Sequence, residues 1–272
     1  MSALLKFLPA PLIRAAGRLQ FQLPFLSKPI NYLGQLLAGS GVIQRGAGKG
    51  LRFNGRGCSP GYVAGTSELI EQSLILNHLA RGGVFYDVGA NAGFYAVIGA
   101  RAVGPTGQVY AFEPMPKLAE RIRENARLNS MANLMVIEAA VSNSDGTVNF
   151  AAQGALSMLN SIGAAQNAAE HVCVRALRVD TFSADHRPPT LILIDIEGDE
   201  IQALQGGLRT IATYLPVLMV EVHYLGKAFV DFYEQTLRPL GYDASTYDGQ
   251  PLRQEPVRYH ALLFPRERRP AL

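Results

Sequence analysis

Phe85-Tyr86-Asp87-Val88-Gly89-Ala90-Asn91-Ala92-Gly93-Phe94 is the stretch that decides the fold of this 272-residue chain. Val84 to Val88 is apolar apart from Asp87, the pattern of a strand buried on both faces. A loop with glycine at 89 and 93 follows, and Gly93 to Val103 then reads as a helix. The alternation continues outward. Gln108–Phe112, Leu134–Ile137, Leu191–Ile196 and Pro216–Val222 read as strands. Pro116–Asn129, Asp199–Thr213 and Phe229–Leu237 read as helices, the first with proline in its opening turn and Leu118, Ile122 and Ala126 on one face. Such alternation predicts a mostly parallel α/β sheet with helices on both faces.

Before this core, Thr66-Ser67-Glu68 reads as a hydroxyl-capped helix start, with Leu69, Ile70, Leu74, Ile75 and Leu79 at helical spacing. In the middle, Thr147–Ala151 and Val172–Leu177 are strand-like and flank a Ser, Asn, Gly and Ala-rich stretch, Gln153–Ala169. That spacing does not fit a helical crossover. It predicts a β insertion after strand three, with a lid whose Ser157, Asn160 and Ser161 offer neutral polar contacts to an acceptor. At the end, Tyr242–Tyr247 and Arg258–Phe264 have only a loop between them and predict an antiparallel pair at one edge. The whole is a Rossmann-like, seven-stranded, mostly parallel sheet with an antiparallel edge strand. The domain reading is a basic lead-in over 1–66, one catalytic domain over 67–266 and a tail over 267–272.

Composition removes other classes. With 48% hydrophobic and 17% charged residues the chain is not disordered. Two cysteines, Cys58 and Cys173, make neither a disulfide framework nor a four-ligand zinc site, and fit a reducing compartment. The net charge of +3 is unevenly placed. The first 67 residues hold eight Lys and Arg and no acid, and the remainder carries an excess of acid. The longest uncharged run of that segment, Pro29 to Gln44, is too short and too polar to span a bilayer. Acid-free and bearing Leu4, Leu5, Phe7, Leu8, Leu12 and Ile13, the segment reads as a lead-in packed on the domain, a contact with an anionic membrane surface, or a transit peptide. These readings place the chain in the cytoplasm, with peripheral contact at the inner membrane face as the membrane variant.

In an open α/β sheet, ligands sit beyond the carboxyl ends of the strands at the topological switch point. The loop after Val88 is Gly-x-Asn-x-Gly, so the Gly-x-Gly-x-x-Gly of a dinucleotide site is broken at Asn91 and Phe94. No Gly-Lys-Ser/Thr of a nucleotide-phosphate loop occurs either. Asp87 would repel phosphate but could orient an amino group. Glu113, before Pro114 at the end of strand two, falls where an acid meets ribose hydroxyls. An adenosine without phosphate, carrying an amino acid, is S-adenosylmethionine. Asp87, Gly89, Ala90, Asn91, Gly93, Glu113 and Pro114 are the expected contacts, with Glu138 and Ala139 at the adenine edge.

Four separated motifs then resemble one family. Asp87–Phe94, Ala111-Phe112-Glu113-Pro114, Asn125–Asn129 and Ile194–Glu200, extended by Glu221-Val222-His223, look like the FkbM family of S-adenosylmethionine-dependent methyltransferases. The resemblance covers Glu68 to Phe264 and implies a class I methyltransferase fold and O-methylation of a sugar, glycan or natural product. It departs at Leu193, where the family commonly has Lys.

At the ends of strands four and five, Asp195, Glu197 and His223 are the candidate catalytic residues. A carboxylate at a strand rim is a site residue or must be paired. A rim histidine titrates near neutrality and suits a general base. A helix-capping role competes for Glu197, and a bond to a neighbouring carboxylate competes for His223. A divalent metal is a secondary reading, because no ligand triad is dictated by spacing, and none is assigned. The partner is a small-molecule or glycan acceptor, with no nucleic acid. The alternatives are a nucleic-acid methyltransferase, which lacks its usual motifs here, and an adenosyl-binding scaffold without activity. Oligomeric state is not encoded in these patterns.

Overall fold

The computed structural model describes residues 39–151 and 171–268. The apolar patches of residues 4–13, the polar stretch with Ser157, Asn160 and Ser161, and the end of the tail lie outside the described residues.

The core is a seven-stranded sheet. In chain order its strands are β3 (Val84–Val88), β4 (Gln108–Phe112), β5 (Leu134–Ile137), β9 (Leu191–Ile194), β10 (Val217–Val222), β11 (Tyr242–Thr246) and β12 (Tyr259–Pro265). Their spatial order is β5-β4-β3-β9-β10-β12-β11. The order reverses between β3 and β9, which are parallel neighbours with Asp87 opposite Leu193. The antiparallel pair stands at one edge as expected, but its members are arranged differently. β12 lies inside, antiparallel to both β10 and β11, and β11 is outermost. The crossover through α8 (Lys227–Phe232) carries β11 past β10 and leaves a one-strand gap. The returning chain fills that gap with β12.

Alternation along the strands feeds two cores. Phe85, Val109, Ala111, Leu193 and Met219 pack on one face against α2 (Leu69–His78), α3 (Phe94–Val103) and α4 (Pro116–Leu128). Tyr86, Val88, Ile192, Ile194 and Val220 pack on the other. There they meet α5 (Val179–Asp185), α6 (Glu200–Gln205), α7 (Leu208–Tyr214) and α8. The insertion forms a second sheet in the order β6-β8-β7, from β6 (Ala140–Val141), β7 (Gly146–Ala151) and β8 (His171–Leu177).

Three features differ from the sequence reading. The stretch 199–213 is two helices, not one, broken at Gly206-Gly207. A Cβ on Gly206 would lie 2.0 Å from the Ser142 carbonyl oxygen, so the chain there must stay bare where the insertion crosses it. The helix expected from Thr66 begins at Leu69 without a hydroxyl cap, after Glu68 in the left-handed region at φ 41°. The strand expected to reach Ile196 ends at Ile194. Upstream, β1 (Ser40–Val42), β2 (Arg52–Asn54) and α1 (Pro60–Ala64) place Ile43, Leu51 and Phe53 in the first core. Asn125 on α4 and Asn129 at its C-cap hold β2 by its backbone: Asn54 N donates to Asn125 Oδ1 at 2.6 Å and Arg52 N to Asn129 Oδ1 at 2.8 Å. No described helix is long and apolar enough to cross a membrane.

Candidate active site

The carboxyl ends of β3, β9 and β10 lie side by side, and each strand leads into a residue other than glycine with positive φ. These are Asn91 at 51°, Glu197 at 57° and Tyr224 at 57°. Such conformations cost energy and gather where chain direction matters more than stability. The first two turns also touch. Gly89 has φ 86°, and a Cβ there would lie 1.9 Å from the Asp195 carbonyl oxygen.

On the β3 side, Asp87 is 2% exposed. It takes a hydrogen bond from the Ala96 backbone, and Oδ2 has no partner. Burial raises its pKa to about 7 against that hydrogen bond. Glu113 is likewise buried. Its Oε2 accepts from Asn91 N at 2.9 Å and its Oε1 from Met115 N at 2.8 Å, which ties the 89–93 loop to the end of β4. Burial outweighs both bonds and raises its pKa to about 8. The acid expected at the ribose therefore also builds the loop. Ala90 and Ala139 are buried, Pro114 is half-buried, and Glu138 turns outward to pair with Arg123 at 3.1 Å.

On the β9–β10 side the three candidate catalytic groups come together. His223 Nε2 lies 3.3 Å from Glu197 Oε2, 3.8 Å from Asp195 Oδ1 and 3.7 Å from Glu221 Oε1. Its Nδ1 is 2.8 Å from Glu200 Oε1, which also accepts from Gly198 N at 2.8 Å. Glu200 is fully buried and orients the ring. Burial lowers the His223 pKa, but the Glu200 bond and the charges of Glu197, Glu200 and Glu221 outweigh it and set the net shift upward. Recessed beside these acids, Asp195 is pushed well up by desolvation first and by Glu221, Glu71 and Glu197 next. Glu221 differs. Burial pushes it up, but the hydrogen bond from Arg258 and the charges of His260 and His223 carry it below the ordinary value.

Several members of the site carry no signal in sequence. Glu71 on α2 is buried and accepts from Tyr247 Oη at 3.2 Å, Tyr95 donates to Glu68, and His260 Nε2 stands 3.7 Å from Glu221 Oε1. His260 sits directly opposite Glu221 in the β10–β12 register, a pairing visible only once the strand order is known. Glu200 lies within the quoted 194–200 motif, and its fixed spacing from Glu197 was the available hint. Leu193 is 1% exposed within the core, so no charge occupies that position. Beside the cluster opens a cavity of about 450 Å³ whose lining includes Glu68, Glu71, Tyr247, Arg253, Arg258 and His260.

Comparison with known proteins gives the family. The family model for the Methyltransferase FkbM domain matches residues 87–244, more than half of the chain. Hexuronic acid methyltransferase AglP of Haloferax volcanii is 25% identical over 158 residues, 55% of this chain and 60% of that protein. A protein-L-isoaspartate O-methyltransferase of Ignicoccus hospitalis is 41% identical over 59 residues, 22% of this chain and 28% of its own length. The chain thus spans less than two thirds of these curated relatives. The crystal structure of Methyltransferase FkbM from Methylobacillus flagellatus aligns at a TM-score of 0.48 and 17% identity, over 67% of this chain and 43% of that one. The match to the family model, which begins at Asp87 and takes in the loop, Glu113 and the whole β9–β10 cluster, shows that this chain belongs to the FkbM methyltransferase family.

Proposed function

We propose that this protein is an S-adenosylmethionine-dependent O-methyltransferase that methylates a hydroxyl of a sugar or glycan. The observation that carries the reading is the meeting of two unlike groups at one sheet rim. Two buried acids, Asp87 and the loop-binding Glu113, end β3 and β4, and a carboxylate–imidazole cluster ends β9 and β10.

The residues of the first group fit the cofactor. Asp87 Oδ2 is buried and lacks a partner, which an α-amino group would supply. The backbone of Gly89, Ala90 and Asn91 follows at the switch point, and Glu113 and Pro114 close the loop's far side. Glu138, drawn outward by Arg123, is a weaker candidate for the adenine edge than the buried Ala139. When bound, the cofactor supplies a methyl group already activated as a sulfonium substituent. The protein's task is therefore alignment and removal of one proton. Asp195, Glu197 and His223 would take up the proton of an acceptor hydroxyl that the rim holds in line with that methyl group. The adjoining cavity has the mixture a sugar needs: carboxylates for its hydroxyls, a tyrosine face and Arg253 for an anionic substituent. The likeness to the Haloferax volcanii hexuronic acid methyltransferase supports the same class.

The test is release of S-adenosylhomocysteine with a panel of uronic-acid-bearing oligosaccharides, neutral oligosaccharides and structured RNA. Turnover with saccharides alone is the expected result. Turnover with RNA alone would replace this reading with nucleic-acid methylation, and binding of the cofactor without turnover on any acceptor would leave a scaffold.

A further inference from the structure

We infer that Asp195, Glu197 and His223 form a binding site for one divalent cation, held in place by Glu200. The inference goes beyond methyl transfer and rests on geometry at the ends of β9 and β10. Within the cluster, one ligand atom from each of the three residues lies within 4.8 Å of the other two. The imidazole nitrogen is 3.3 Å from Glu197 Oε2 and 3.8 Å from Asp195 Oδ1. An octahedral ion with ligands at about 2.1 Å puts neighbouring donors about 3.0 Å apart and opposed donors about 4.2 Å apart. The observed spacings fall inside that interval.

The decisive atom is His223 Nε2. The side chain is 3% exposed, and Nε2 makes no hydrogen bond, although carboxylate oxygens surround it. Glu200, facing Nδ1 at 2.8 Å, favours the tautomer in which Nδ1 carries the proton. In that tautomer the Nε2 lone pair points at carboxylate oxygens, and a positive centre between them, a second ring proton or a cation, makes the arrangement attractive. A buried carboxylate behind a ligating imidazole is the usual way to fix its ring and tautomer. Glu221, the other acid within reach, is engaged by Arg258 and is left out of the set. Leu193 brings no cation of its own.

Two carboxylates and one imidazole suit a hard or borderline ion, with remaining positions open to water or to acceptor hydroxyls. A cation there would hold a sugar oxygen at the rim beside the 89–93 loop and make its proton easier to lose. The second acidic group, Glu68, Glu221 and His260, lacks a comparable case, because Glu68 is exposed, Glu221 is paired and His260 is only partly buried.

The test titrates the full chain with Mn²⁺, reading free metal by electron paramagnetic resonance. Saturable uptake of about one ion per chain is expected. Asp195→Asn and Glu197→Gln should each weaken it at least tenfold, and Glu200→Gln by about 10–100-fold through the ring it holds. Glu234→Gln, in the exposed helical turn that follows α8, should leave it unchanged. Absence of saturable uptake below about 1 mM by a folded parent chain would overturn the site, as would parental affinity in both Asp195→Asn and Glu197→Gln. Calorimetry with S-adenosylhomocysteine on the same samples reports on the methyltransferase reading separately. Cofactor binding without metal uptake would sink the cation and spare the enzyme, and the reverse would do the opposite.

Discussion

The two halves of the active rim handle buried acid in opposite ways. At the ends of β3 and β4, Glu113 is surrounded by its own neighbours and accepts two backbone N–H groups within the same loop. At the ends of β9 and β10, Asp195, Glu197 and Glu221 surround one imidazole, and the charge that offsets Glu221 comes from Arg258 on the approach to a different strand. The first arrangement is local, with Glu113 satisfied inside its own loop and Asp87 Oδ2 beside it left open. The second is assembled from distant parts of the chain and keeps an unpartnered nitrogen at its centre. A buried polar group without a partner is costly, so a site that keeps one is built to receive something.

The largest expected effect strikes the second half alone. Asp195→Asn should lower kcat by about 100-fold or more, the scale of a lost proton-handling group, with the thermal midpoint within a few degrees of the parent. Equal loss of kcat and of folding would merge the two halves into one structural unit. Next comes Glu113→Ala. It should weaken S-adenosylhomocysteine by about 10–100-fold in calorimetry, since each of two hydrogen bonds to the ribose hydroxyls contributes about 0.5–1.5 kcal/mol. A smaller change would mean that Glu113 only builds the loop.

Gly89→Ala probes the seam between the halves. Its Cβ would stand 1.9 Å from the Asp195 carbonyl, so the strain falls on both at once. We expect about 1–3 kcal/mol of destabilisation together with losses in cofactor affinity and kcat, read by thermal melting, calorimetry and turnover on one sample. Loss of only one of the functional readouts would show that the halves move independently.

The smallest effect is in pH. Burial raises Glu113 to about 8 and Asp87 to about 7, so both bind a proton more tightly in the folded chain than in the unfolded one. Their contribution to stability is complete below the unfolded carboxylate value of about 4, is lost progressively as pH rises above it, and is gone once pH passes about 8. The thermal midpoint of the free protein should therefore fall over that window. Glu113→Gln should flatten the fall, and an unchanged slope would place the titrating groups elsewhere.

The same contrast explains what could be read from sequence. β3, α3, β4 and α4 follow one another with short turns, so periodicity over Val84–Leu128 and the Gly89–Gly93 loop carry their own instructions. Glu113 was legible because a βαβ unit fixes its distance from the loop. His260 and Glu71 were not, since 189 residues separate them and only strand order and the packing of α2 bring them to one cavity. The break at Gly206-Gly207 was hidden for a related reason. Two glycines within a helical pattern do not announce which carbonyl will press against them. The helix α5 was missed because Arg178–Asp185 mixes polar residues with only Val179 and Phe182 to anchor it. The strand end at Ile194 was misplaced because Ile196 continues the apolar alternation that Glu197, in a left-handed turn, interrupts.

The placement of β12 between β10 and β11 has a consequence for synthesis. Ribosomes deliver the chain from its N-terminus, and the β3–α3–β4–α4–β5 half can collapse while the rest is still being made. The interior strand β12 emerges well after β10, and Arg258 and His260 arrive with it. Until then Glu221 sits on an open strand edge with its counter-charge not yet translated. The β9–β10 cluster is therefore completed only after the β3–β4 loop has had more than 100 residues of elongation in which to form.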